Sequence, residues 1–103
     1  MSKIFILFEN STDNLSSLPE DAELIHLFKF IHGPPNVAHI QARLSSILDA
    51  SDPVNDMIVF NGPSYLAALA GYIWFTNDKR VNVNFYAFSI KDNKYIPHKE
   101  PIV

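Results

Sequence analysis

Three observations predict a small α/β layer fold with a mostly parallel sheet. Ile4 to Phe8 and Met57 to Phe60 are short, unbroken apolar runs with the length and composition of strands buried on both faces. Segments with helical periodicity alternate with strand-like ones, the order that right-handed crossovers turn into parallel neighbours. Lys91-Asp92-Asn93-Lys94 then separates two short strand-like segments and predicts a closing C-terminal hairpin. At 103 residues the chain is expected to form a single domain over 1–103, because chains of this size rarely hold two cores.

Taken in order, the first strand stops at the polar cluster Glu9-Asn10-Ser11-Thr12-Asp13, and the polar stretch to Ser17 reads as turn material. Glu23 to Phe28 is the second strand candidate, with a helix started at Pro19 as the competing reading. His32-Gly33-Pro34-Pro35 breaks it, since neither proline donates a hydrogen bond. Val37, Ile40, Leu44, Ile47 and Leu48 recur at steps of three and four, the stripe of an amphipathic helix beginning at Pro35 or Asn36 and ending before Asp52-Pro53. After the Met57 to Phe60 strand, Asn61-Gly62-Pro63-Ser64 turns the chain into a helix over Tyr65 to Phe75. Pro63 suits the first helical turn, with Asn61 or Gly62 in the cap region. That helix has almost no polar face and is expected to be covered nearly all round. Val81, Val83, Phe85 and Ala87 alternate as a strand, and Pro97 and Pro101 limit the last strand to a sheet edge.

Composition excludes several functions. Eight basic against eleven acidic residues offer no general attraction for duplex DNA or an anionic membrane, although a small anion can still be held locally. No apolar stretch approaches the roughly 20 residues of a spanning helix, and the apolar start at Met1 to Phe8 is too short for a signal peptide, so no membrane is expected. The chain has no cysteine, hence no disulfide framework, thiol nucleophile or cysteine-type metal site, and a cytoplasmic location is expected. His26, His32, His39 and His98 lack short ligand spacing on one element, so neither a metal nor another cofactor is expected.

In open α/β sheets ligands bind beyond the carboxyl ends of strands, where helix N-termini attract anions. Two loops qualify: Asn10, Ser11 and Thr12 after the first strand, and Asn61, Gly62 and Ser64 after the Met57 to Phe60 strand. Gly62 allows close approach, while the Asn61 amide and Ser64 hydroxyl can bond phosphate or ribose. The same residues serve equally well as a plain helix cap. The loop is neither a Walker loop nor a dinucleotide fingerprint. His32, at the end of a strand, is the candidate general acid or base; Glu9 is a weaker one, and Lys79 and Arg80 read as loop charges.

With Lys3 to Phe8 opening into an Asn-Ser-Thr loop, and Ile58-Val59-Phe60-Asn61-Gly62-Pro63-Ser64-Tyr65-Leu66-Ala67 turning strand into apolar helix, the chain resembles small CRISPR-associated proteins of the CARF type, compact ring nucleases among them. The resemblance covers most of the chain in layout but only these two segments in residues. It implies a Rossmann-like three-layer fold and a homodimer that receives a cyclic oligoadenylate, an antiviral second messenger, between the strand-end loops of both copies. It assigns ligand contacts to Asn10, Ser11 and Thr12 and to Asn61, Gly62, Ser64 and Tyr65, and makes the apolar second helix a dimer face. Cleavage in such proteins is metal-independent and uses the ligand's own 2′-hydroxyl. The departure is that neither loop contains Lys, Arg or His, which leaves cleavage and mere sequestration both open. A competing class is a noncatalytic interaction module that offers the Tyr72 to Phe75 face of the second helix to a partner protein.

Overall fold

The computed structural model describes residues 2–9, 15–29 and 36–102. One five-stranded sheet runs β2 (Glu23–Phe28), β1 (Lys3–Phe8), β3 (Met57–Val59), β4 (Phe85–Ser89), β5 (Lys94–His98). The first four strands are parallel and β5 returns antiparallel to β4, so the mostly parallel sheet and the closing hairpin are both present. Asn93, with φ 51°, lets the hairpin turn close. β1 lies between β2 and β3, with Ile6 opposite both His26 and Val59. The chain therefore leaves β1 in one direction and comes back past it in the other, a doubly wound order whose point of reversal is the gap between β1 and β3.

Alternation along β1 divides two cores. Phe5 and Leu7 join Leu27 and Ile58 against α1 (Val37–Leu48) and α2 (Ser64–Phe75), which contribute Ile40, Leu44, Leu48, Leu66, Ala70, Ile73 and Trp74. Ile4 and Ile6 face the other way, with Met57, Val59, Tyr86 and Tyr95, and are covered by Leu18, Leu15 and Ala22. Both helices thus lie on one face. The three-layer arrangement is corrected: among the described residues the second face carries only a 3₁₀ turn, Leu15–Ser17, pinned where the Tyr95 N–H donates to Ser17 Oγ at 3.1 Å. The reason is in the sequence, because Asn10 to Ser17 holds too few apolar residues to give a helix a buried stripe.

α1 starts at Val37, one residue past the later of the two expected starts, because Asn36 serves as its cap: the Asn36 side-chain oxygen accepts from the His39 N–H at 3.1 Å. α2 begins one residue later than its proline suggests. Pro63 is the cap itself, at φ −60° and ψ 143°, and its carbonyl accepts from the Leu66 and Ala67 N–H groups. α2 is also less enclosed than its composition implies. Ile73 and Trp74 are buried, but Tyr72 is 69% exposed.

Two expectations at the other end of the sheet are revised. The alternation from Val81 yields strand only from Phe85, because Asn84 takes φ 46° and breaks the ladder, while Val83 N–H and Val81 C=O pair with the chain near Glu100 and Ile102. Arg80 is no loop charge: it is 5% exposed, with its guanidinium carbon 3.4 Å from the centre of the Trp74 ring. It donates to the Pro53 carbonyl and to Ser51 Oγ, both at 3.2 Å. Burial lowers its pKa, and Asp56 and Asp52 oppose that shift.

Candidate functional site

The site is built where β1 and β3 stop. β3 ends at Val59, two residues before the position that would continue its ladder beside Phe8. The Asn61 side chain takes that place: its oxygen accepts from the Phe8 N–H at 2.9 Å and its nitrogen donates to the Phe8 carbonyl at 2.6 Å. An amide side chain has one donor end and one acceptor end, so it can stand in for a strand's peptide group. The two exits are thereby tied to one another.

Gly62 follows with φ 85°, in the left-handed region where glycine is at ease. A Cβ there would lie 2.5 Å from the Phe8 Cβ, so the turn is pressed against the end of β1. Pro63 then sets the entry to α2. The backbone N–H groups of Ser64 and Tyr65 have no hydrogen-bond partner among the described residues and stand at the helix start, beside the exposed Ser64 hydroxyl. The first turn of α2 contains no acidic residue to compete for those donors. Tyr65 is half-buried and packs on the core shared by the two helices.

On the far side of β1 the Glu9 N–H donates to the Phe28 carbonyl at 2.6 Å, which leaves the Leu27 carbonyl directed at the outer edge of β2. Arg43 of α1 reaches it at 3.1 Å, and its guanidinium carbon lies 5.4 Å from the Phe28 ring centre. A cation thus stands at the carboxyl end of β2. Helical spacing places Arg43 only on a polar face, and no signal short of the strand order locates it here.

Of the residues the sequence singles out, Asn61, Gly62, Ser64 and Tyr65 are brought together beside Phe8, as two neighbouring parallel strands require. Asn61 departs from its expected part, because its amide is engaged with the Phe8 backbone and so positions the loop. Asn10, Ser11, Thr12 and His32 lie outside the described residues. Glu9 is exposed at the mouth of β1. His26 and His39 are exposed, and His98 lies 3.3 Å from Glu100 and stacks on Phe85 at 5.2 Å. Among the described residues no three His, Asp or Glu side chains are grouped to hold a metal ion, and no helix is long and apolar enough to cross a membrane.

Chemically, the arrangement offers neutral donors at a helix start, a hydroxyl and a turn that admits close approach. It suits one anionic group better than it suits proton transfer. Comparison of the chain with protein-family models, curated proteins and solved structures finds no match in any of the three.

Proposed function

We propose that the crevice between the exits of β1 and β3 takes an anionic nucleotide, of the cyclic oligoadenylate class, and that the chain acts on antiviral signalling by holding or cleaving this messenger as a homodimer. The observation that carries the reading is the Asn61 clasp on Phe8 at the reversal point of the sheet, which sets the Gly62 turn and the start of α2 beside the end of β1. In this reading Ser64 Oγ and the Ser64 and Tyr65 N–H groups bind a phosphate, Gly62 lets it approach, and Asn10, Ser11 and Thr12 contact the ribose or base. The exposed Tyr72 on α2 belongs to the face between two copies.

Cleavage would use the ligand's own ribose. The 2′-oxygen attacks the adjacent phosphorus, its proton passes to His32 as base, and the bond to the 5′-oxygen breaks, leaving a 2′,3′-cyclic phosphate and a 5′-hydroxyl that takes up a proton. With only neutral donors at the start of α2, and Arg43 engaged at the outer edge of β2, stabilisation of the developing charge is weak, which favours sequestration over rapid turnover.

The test is a panel of cyclic di-, tetra- and hexa-adenylate in thermal unfolding. A ligand that binds the native form raises the midpoint by mass action, and a gel of the recovered nucleotide separates cleavage from holding. No shift with any member would discard the reading in favour of the interaction module. Under that alternative the surface offered to a partner is Tyr72, because Ile73 and Trp74 are buried in the chain's own core.

A further inference from the structure

At the opposite end of the sheet, on the face turned away from α1 and α2, a groove of about 350 Å³ opens over Ile4 and Met57. It is within the size range of small-molecule sites and continues into a second hollow of about 480 Å³ with which it shares Ser2, Asn55 and Lys99. The nearly buried Ile4, Met57 and Tyr86 form a narrow apolar floor between polar walls that include Ser2, Asn55, Asp21 and Lys99. Tyr86, 8% exposed, contributes its ring, and its hydroxyl has no hydrogen-bond partner among the described residues. The ring is enclosed while the hydroxyl stays open to solvent, which leaves it free to donate to a guest.

Two charges complete the rim. Lys99 and Asp21 both line the groove, and neither forms an ion pair or side-chain hydrogen bond among the described residues. The other nearby carboxylate is engaged: Asp52 accepts from the Val54 and Asn55 N–H groups and from the Asn55 amide. The groove therefore offers one available charge of each sign, an apolar floor and one neutral donor.

We propose that this groove is a binding site for a free α-amino acid with an apolar side chain. The carboxylate pairs with Lys99 and accepts from the Tyr86 hydroxyl, the ammonium faces Asp21, and the side chain lies on Ile4, Met57 and the Tyr86 ring. A simple anion would leave Asp21 repelling it, and a simple amine would leave Lys99 doing the same.

The experiment titrates the isotope-labelled protein with L-phenylalanine, following the backbone amides of Met57, Tyr86 and Lys99 by NMR. 3-Phenylpropionate and phenethylamine serve as analogues that each lack one charge. Saturable shifts at these amides are expected, with each analogue bound roughly tenfold more weakly. Tyr86→Phe, which keeps the ring and hence the fold, is expected to weaken L-phenylalanine about fivefold, and Lys99→Met about tenfold. Absence of saturable shifts, equal binding of the analogues, or unchanged affinity in both variants would overturn the proposal. Its outcome is independent of the nucleotide reading, whose residues sit at the other end of the strands.

Discussion

Asn61 joins two strands through a single side chain, and replacing it separates the energetic and the binding consequences. Asn61→Ala leaves the half-buried Phe8 N–H and C=O without partners, at an expected cost of about 1–3 kcal/mol in the unfolding free energy measured by urea denaturation. Asn61→Asp keeps the acceptor but sets a second oxygen against the Phe8 carbonyl, so it is expected to be no better than alanine. Gly62→Ala meets both a positive φ and the Phe8 side chain, and is expected to cost roughly 2 kcal/mol or more by the same measurement. The pH dependence of stability has a residue-level origin at each extreme. Hydrogen bonds from Asn55 and Val54 hold the Asp52 carboxyl below its ordinary 3.8, so the folded chain keeps the carboxylate more readily than the unfolded one. The resulting stability is present above that value and is lost as pH falls through the folded pKa; Asp52→Asn is expected to flatten the acid side of a denaturation-against-pH curve. Tyr86 runs the other way. Burial raises its pKa above 10.0, so its contribution is intact below that value and is lost as pH rises past it. Tyr86→Phe is expected to flatten the alkaline side. Of these residues, Gly62 and Ser64 were legible as parts of a turn, while the engagement of Asn61 was not, because a partner 53 positions away leaves no mark in local pattern.

α1 is the element the sequence describes best: its stripe from Ile40 to Leu48 and its end before Asp52-Pro53 follow from spacing, while its start falls at Val37, just past the expected Pro35 or Asn36, and Val37 itself is exposed. Asn36→Ala is expected to cost about 1 kcal/mol in thermal or urea unfolding, since the first turn loses an acceptor. α2 is harder to read, because a helix nearly free of polar residues has no periodicity to show which side is buried. The contacts decide it. Trp74 is 1% exposed, meets Phe5 edge-on with ring centres 6.1 Å apart, donates to the Val83 carbonyl at 3.0 Å and lies against Arg80. Trp74→Ala is expected to cost about 3–5 kcal/mol by cavity formation, and to strand the buried Arg80 cation without its ring. The late start of β4 has a similar cause. Alternation continues through Asn84, but the left-handed conformation there depends on side-chain bonds to the Val54 and Pro53 carbonyls, which come from a distant loop.

Strand order was only half legible. Parallel β1 and β3 follow from two fully apolar runs with a helical stretch between them, and the hairpin follows from its turn and prolines. That both described helices lie on one face did not follow from fold class, since α/β proteins usually place helices on both sides of the sheet. It follows instead from the polarity of one connection. Arg43 shows what else the assembled shape achieves. A strand at the margin of a sheet presents vacant peptide groups that can recruit a neighbouring molecule. The guanidinium laid across β2 occupies the Leu27 carbonyl and places a hydrated charge in the path of any incoming strand. Protection of this margin against edge-to-edge pairing thus rests partly on a helix residue rather than on the margin itself, and light scattering of an Arg43→Ala variant is expected to show concentration-driven association.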